Sequence, residues 1–132
     1  MKRLIDSDFL VGLFRDADAH HEETLSLLEN ETDKESDLYV VNLVLFETAT
    51  VLAHRVNMDA VRLFYDKLPK LNLKIISFDE KLESMSWEMF LKQTKKGCSF
   101  VDCANMAVLR RYRLDGILSF DKFYPDKIRS IP

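Results

Sequence analysis

Ser99-Phe100-Val101-Asp102-Cys103-Ala104-Asn105-Met106-Ala107 opens a helix, and Ile117-Leu118-Ser119-Phe120-Asp121, close behind it, ends a strand. Gly97 breaks the chain just before, so Ser99 is placed to cap that helix and Asp102 falls in its first turn. A carboxylate there suits the partial positive charge of the free N–H groups, and Ser99 with Asp102 has the form of a capping box. Leu114-Asp115-Gly116 reads as a turn into a short apolar run that ends in an acid, Asp121. A helix-start acid, a helix, a strand and a strand-end acid bring two carboxylates to one edge of a parallel sheet.

Outward from this stretch, the rest of the chain supplies the same parts. Lys2 to Ile5 is a strand candidate ending at Asp6, and Ser7 is placed to cap a helix whose Phe9, Leu10, Leu13 and Phe14 share one stripe. A second helix runs from about His20 to Glu31, and Leu38 to Val41 is the next strand, with Asn42 as a capping candidate. Leu43 to Arg55 is a helix that is apolar nearly all round, which predicts extensive burial. Met58 to Leu68 gives a helix stopped by Pro69, and Leu73 to Ile76 a third strand. Ser77 and Glu80 have the spacing of a capping box for the helix that carries Trp87. The tail from Phe123 to Pro132 adds an edge strand near Lys127 to Ile131.

Strands separated by helices imply right-handed crossovers and a parallel sheet covered on both faces. The expected fold is therefore α/β, with a mainly parallel central sheet of four to five strands. A chain of 132 residues suits one domain over residues 1–132 with a real core. Its 47% hydrophobic and 31% charged residues are those of a folded globular protein, and only 3 Gly and 3 Pro disfavour a turn-rich all-β fold. No apolar run approaches the ~20 residues that span a bilayer, so the expectation is a cytoplasmic protein without membrane association. A net charge of −3 excludes wrapping of nucleic acid by bulk positive charge. Any such partner has to be met by local patches or through a bound metal. Cys98 and Cys103 form no CxxC, and His20, His21 and His54 lack zinc-ligand spacing.

In a parallel sheet the site lies outside the carboxyl ends of the strands. Asp6 and Asp121 end two strands, Glu47 lies one turn into the helix after the second strand, and Asp102 opens the helix feeding the fourth. Singly, each acid has a structural explanation: turn capping for Asp6 and Asp121, a capping box for Asp102, a distant arginine such as Arg15 or Arg55 for Glu47. Glu47 fits such an explanation least, because Leu43, Val44, Thr50 and Val51 surround it on its helix face. Together, four like charges at one edge repel, and hard divalent cations relieve that cost. Mg²⁺ or Mn²⁺, as one ion or as two roughly 3.5–4 Å apart, suits phosphodiester hydrolysis.

Asp6-Ser7 after the first strand, Glu47 in an apolar helix, Ser99-x-x-Asp102 and Ser119-x-Asp121 resemble the PIN domain, and among its members the VapC-type toxins. The resemblance runs through essentially the whole chain. It implies a three-layer α/β/α sandwich and a metal-dependent endoribonuclease that hydrolyses RNA. It makes Asp6, Glu47, Asp102 and Asp121 the acidic quartet that is both catalytic and metal-holding. Ser7, Ser99 and Ser119 become the hydroxyls that orient it. It further implies a homodimer and a small antitoxin partner. Asp8 departs from the family pattern and reads as a solvent-facing helix residue, as does Asp126. No basic groove is evident, and Arg15, His54 and Arg55 are the candidates for gripping RNA phosphates.

Two other readings stand beside this one. A PIN-like fold that no longer cleaves would act as an RNA-binding or interaction module. Asp6-x-Asp8 after a strand also resembles the haloacid-dehalogenase phosphatases, with Asp6 as nucleophile and Asp8 as acid/base. That family carries a small hydroxyl residue or valine where this chain has Leu10.

Overall fold

The computed structural model describes residues 1–131, and Pro132, the last residue of the tail, lies outside the described residues. The elements follow in chain order: β1 (Lys2–Ile5), α1 (Ser7–Phe14), α2 (His21–Asp33), β2 (Asp37–Val41), α3 (Asn42–Arg55), α4 (Met58–Lys67), a 3₁₀ turn (Leu68–Leu71), β3 (Lys74–Ile76), α5 (Glu80–Lys92), α6 (Phe100–Arg111) and β4 (Gly116–Leu118). The sheet is parallel throughout, in the order β3-β2-β1-β4.

That order decides where a site can form. From β1 the chain steps to β2 and then β3 in one direction, then returns past β1 to lay down β4 on its far side. Right-handed crossovers place α1 to α4 on one face and α5 and α6 on the other. Helix packing agrees: α1 contacts α2 and α3, α3 contacts α4, and α5 pairs with α6. Between β1 and β4 the direction of winding reverses, and their carboxyl ends open a crevice. Leu4, Ile5, Val40, Val41, Ile117 and Leu118 are fully buried between the layers, as a sheet covered on both faces requires. Each such aliphatic side chain contributes about 1.5–3 kcal/mol on leaving water.

Several local expectations are corrected. Asp6, not Ser7, caps α1, because its carboxylate reaches the Ser7 N–H and leaves Ser7 as the first helical residue. Asn42 does not cap α3; its Oδ1 instead accepts the Phe78 N–H at 3.1 Å and ties α3 to the loop before α5. Asp79, two residues past Ser77, caps α5 through the Leu82 N–H, so no Ser77–Glu80 box forms. Pro69 does not end the path of α4 abruptly; it sits early in the 3₁₀ turn, where a missing N–H costs nothing. In α3 only Val44, Thr48 and Leu52 are buried, and Phe46 is 62% exposed, so the apolar run covers more than this chain's own core can take. The tail makes a single parallel bridge, Arg129 to Ile117. It passes so close that a Cβ on Gly116 would meet the Ile128 carbonyl at 2.7 Å and Ser130 Oγ closer still. Among the described residues no helix is long and apolar enough to cross a membrane.

Candidate active site

At the β1/β4 crevice, Asp6 follows β1 directly. Its Oδ1 accepts the Ser7 N–H at 2.8 Å and Asn105 Nδ2 at 3.1 Å, and its Oδ2 accepts Ser119 Oγ at 2.8 Å. Ser119 sits just past β4, fully buried, and its Oγ also accepts the Asp121 N–H at 3.0 Å. One hydroxyl thus ties the end of β1 to the turn carrying Asp121. The Asp121 carboxylate in turn accepts the Phe123 N–H at 2.9 Å, which holds that turn closed.

Asp102 arrives from α6. The capping box forms as its spacing predicts: Ser99 Oγ accepts the Asp102 N–H, and Asp102 Oδ2 accepts the Ser99 N–H at 3.0 Å. The other carboxylate oxygen accepts the Tyr124 hydroxyl at 3.3 Å. Tyr124 Oη also accepts a hydrogen bond from Asn105 Nδ2 at 3.0 Å, so Asn105 and Tyr124 bridge Asp6 to Asp102 inside the protein. Neither residue is singled out by strand-end or capping patterns. Asn105 nevertheless leaves a trace: it lies three residues after Asp102, among Cys103, Ala104, Ala107 and Val108, on the buried side of α6.

Asp8 does not face solvent. The Phe120 N–H donates to its Oδ2 at 2.9 Å, and Ser119 Oγ lies 3.3 Å from the same oxygen. Asp8 Oδ1 is buried without a hydrogen-bond partner. The turn after β4 folds over the first turn of α1 and takes this carboxylate in. Asp126 is exposed and pairs with Arg129 at 2.9 Å, away from the cluster.

No lysine or arginine forms an ion pair with Asp6, Asp8, Asp102 or Asp121 among the described residues. The electrostatics follow. Burial, then the charge of Asp8, pushes the Asp6 carboxyl up to about 8, against the hydrogen bonds from Ser119 and Ser7. Burial pushes Asp8 up to about 6, with the Asp121 charge adding and the Phe120 and Ser119 bonds opposing. Burial and the Asp121 charge raise Asp102 as well, against its bonds to Ser99. Burial lifts the Tyr124 phenol well above its usual range, with the charges of Asp6 and Asp102 acting in the same direction. The cluster therefore holds protons that exposed carboxyls would have lost.

Glu47 stands apart from this network. It is half-buried on α3, one turn before Val51, and its carboxylate makes no hydrogen bond or ion pair among the described residues, so neither Arg15 nor Arg55 neutralises it. Val51 and Arg55 continue the same face of α3 into a cavity of about 420 Å³, whose other walls include Ser7, Asp8, His20, Phe120 and Asp121. Arg15 lines a neighbouring cavity, also bordered by Arg55. His54 is exposed and lines neither.

The donor set has the chemistry a hard divalent cation takes, namely clustered carboxylate oxygens, one of them buried and unpartnered. Among the described residues no three acidic, histidine or cysteine side chains already converge on one ion position. Asp6, Asp8, Asp102 and Asp121 each accept at least one hydrogen bond, from Ser7, Ser99, Asn105, Ser119, Phe120, Phe123 or Tyr124.

An acidic crevice at the switch point of a parallel α/β sheet defines the class, and the PIN domain family model matches residues 3–127. The chain belongs to the PIN domain family. Its fold is similar to that of solved VapC toxins. The sarcin-ricin loop cleaving toxin VapC20 of Mycobacterium tuberculosis matches with a TM-score of 0.81 and 24% identity, over 90% of this chain and 89% of that one. VapBC2 of Rickettsia felis, solved on a DNA fragment of its promoter, matches with a TM-score of 0.69 and 16% identity, over 98% of each chain. No curated protein sequence matches at a significant level. Family membership takes the place of the phosphatase-like reading of Asp6 and Asp8.

Proposed function

We propose that this chain is a divalent-cation-dependent endoribonuclease acting as the toxin of a toxin–antitoxin pair, with residues 1–132 working as one unit. The observation that carries the reading is the uncompensated acid cluster at the β1/β4 crevice, where Asp6, Asp8 and Asp102 all have raised pKa values. Asp6, Asp102 and Asp121, joined by Glu47 of α3, would hold one or two Mg²⁺ or Mn²⁺ ions. Held by these carboxylates, such an ion would supply a more acidic water and positive charge beside the scissile phosphate. Ser119 holds the Asp6 carboxylate with its hydroxyl, whereas Ser7 and Ser99 hold Asp6 and Asp102 with backbone N–H groups, and Asn105 and Tyr124 add side-chain bonds to the same two acids. Asp8, as a fifth acid, shares Ser119 with Asp6 and adds negative charge at the crevice.

A protein partner is supported by the exposed apolar side chains on adjacent α3 and α4: Phe46 at 62%, Leu63 at 49% and Tyr65 at 75% exposure. An antitoxin or a second copy of the chain would cover them. The test of the activity is cleavage of RNA by purified protein in Mn²⁺, with EDTA and Asp6→Asn as controls. Turnover that requires the metal and is lost in the variant supports the reading. Turnover that persists in Asp6→Asn contradicts it, and RNA binding without turnover in any metal favours the non-cleaving module.

A further inference from the structure

The ring of His20 lies on Phe120 with centroids 3.8 Å apart and planes 12° from parallel. Behind Phe120 stands the buried ring of Phe9, centroid 6.4 Å away and also near-parallel. The three rings form a column from the core to the surface, and its outer member, His20, keeps 46% of its side chain exposed. The column is fixed at each level. Phe9 belongs to α1, and the Phe120 N–H is held by Asp8. The His20 N–H is held by Asp18 Oδ1 at 2.9 Å, and its Nδ1 lies 3.5 Å from Glu23 Oε2.

The two outer rings, His20 and Phe120, line two cavities. One contains Asp8, Asp18, Asp121 and Arg55; the other, of about 340 Å³, is bordered by Glu23, Lys122 and Arg129. Arg55 and Lys122 make no ion pair among the described residues, whereas Arg129 is paired with Asp126. Each cavity that His20 borders therefore carries a cation outside any ion pair among the described residues, in a protein whose net charge is −3.

A flat, rigid, solvent-facing ring with a cation in each cavity it borders, next to Asp121, has the elements of a single-strand nucleic-acid platform. Resting on the ribonuclease reading above, we propose that His20, backed by Phe120 and Phe9, stacks an unpaired nucleobase of the RNA beside the scissile phosphate, with Arg55 and Lys122 taking the phosphates on either side. Stacking on one exposed ring needs a base that has left its own stack. A base held in a continuous duplex keeps its own stack and is not free to make this contact.

The test measures binding separately from cleavage. Fluorescence anisotropy of a short labelled RNA, single-stranded or annealed to its complement, is recorded in Ca²⁺ with wild type, His20→Ala and His20→Phe. Loss of one base-stacking contact weakens binding of the single strand roughly tenfold or more in His20→Ala. His20→Phe keeps the flat ring and returns affinity to near the wild-type value, and the duplex binds markedly more weakly than the single strand. The proposal is overturned if His20→Ala binds like wild type, if His20→Phe is as weak as His20→Ala, if the duplex binds as well as the single strand, or if wild type binds neither. Cleavage in Mn²⁺, scored in parallel, separates the two claims. Binding that depends on His20 without any turnover leaves the platform standing and removes the nuclease. Turnover with binding indifferent to His20 does the reverse.

Discussion

Replacing Asp6 by Asn tests whether the cluster costs the metal-free protein stability. The Asp6 carboxyl sits at about 8 in the folded chain against 3.8 for an unperturbed aspartate. The folded state thus holds a proton that the unfolded chain has released. A raised folded pKa means this contribution is fully present below about pH 4 and drains away as pH climbs towards 8. About 1.4 kcal/mol per pKa unit over that window sets an upper bound on the order of 5 kcal/mol. Between pH 5 and pH 7.5, wild type in EDTA should lose a few kcal/mol that Asp6→Asn does not lose. Asparagine fits the site: its Oδ1 can still accept from Ser7 and Asn105, while its amide donates to Ser119 Oγ, freeing that hydroxyl proton for Asp8, 3.3 Å away. Near pH 5 the variant should therefore lie within about 1–2 kcal/mol of wild type, and near pH 7.5 it should melt higher. The assay is thermal unfolding by circular dichroism, recorded as the difference in Tm between the two proteins, with about 3–5 °C expected per kcal/mol at this chain length. A difference that stays flat across this range, or a wild type that gains on the variant as pH rises, refutes the reasoning.

Two further predictions follow from the same packing. Tyr124→Phe removes the hydroxyl that donates to Asp102 and accepts from Asn105, leaving a buried N–H without its partner. This should cost about 1–3 kcal/mol and lower Tm accordingly, whereas an unchanged melt would mean that the hydroxyl carries no weight. Gly116→Ala drives a Cβ into the Ile128 carbonyl and Ser130 Oγ, so the tail must leave β4. A loss of about 1–3 kcal/mol is expected, with faster hydrogen exchange at the Ser130 N–H, which the Ile117 carbonyl accepts at 2.8 Å; a neutral substitution would show that the tail is not held there.

Much of this architecture is legible in the chain because it rests on local signals. Alternating strands and helices give the parallel sheet. Asp6 follows β1 directly, whereas β4 stops at Leu118, short of the strand end the sequence suggests, and Asp121 lies in the turn beyond it. The Ser99–Asp102 box forms because both partners lie within one turn. What escapes is decided over long separations. Asp8 occupies a first-turn position that helix periodicity assigns to solvent, and only the turn after β4, 112 residues away, covers it. Asn105 and Tyr124 become important only when the tail passes under α6. Adjacent capping candidates mislead for a related reason: Asp6 and Ser7, or Ser77 and Asp79, compete on nearly equal terms, and tertiary path chooses between them. The exposed apolar surface of α3 has the same character, since an all-round apolar helix reads as core whether its cover comes from this chain or from a partner.

The central claim is that the acids of the β1/β4 crevice, with Glu47, hold a hard divalent cation. It is tested most directly by thermal unfolding near neutral pH in EDTA, Mg²⁺, Mn²⁺ and Ca²⁺, for wild type, Asp121→Asn and Glu47→Gln. An ion at a hundredfold excess over its Kd stabilises the native state by about 2.7 kcal/mol. Wild type should therefore melt several degrees higher in Mn²⁺ than in EDTA, and both variants should lose most of that gain. A wild type indifferent to every metal, or variants that gain as much as wild type, would contradict the account and leave these carboxylates as caps and turn acids.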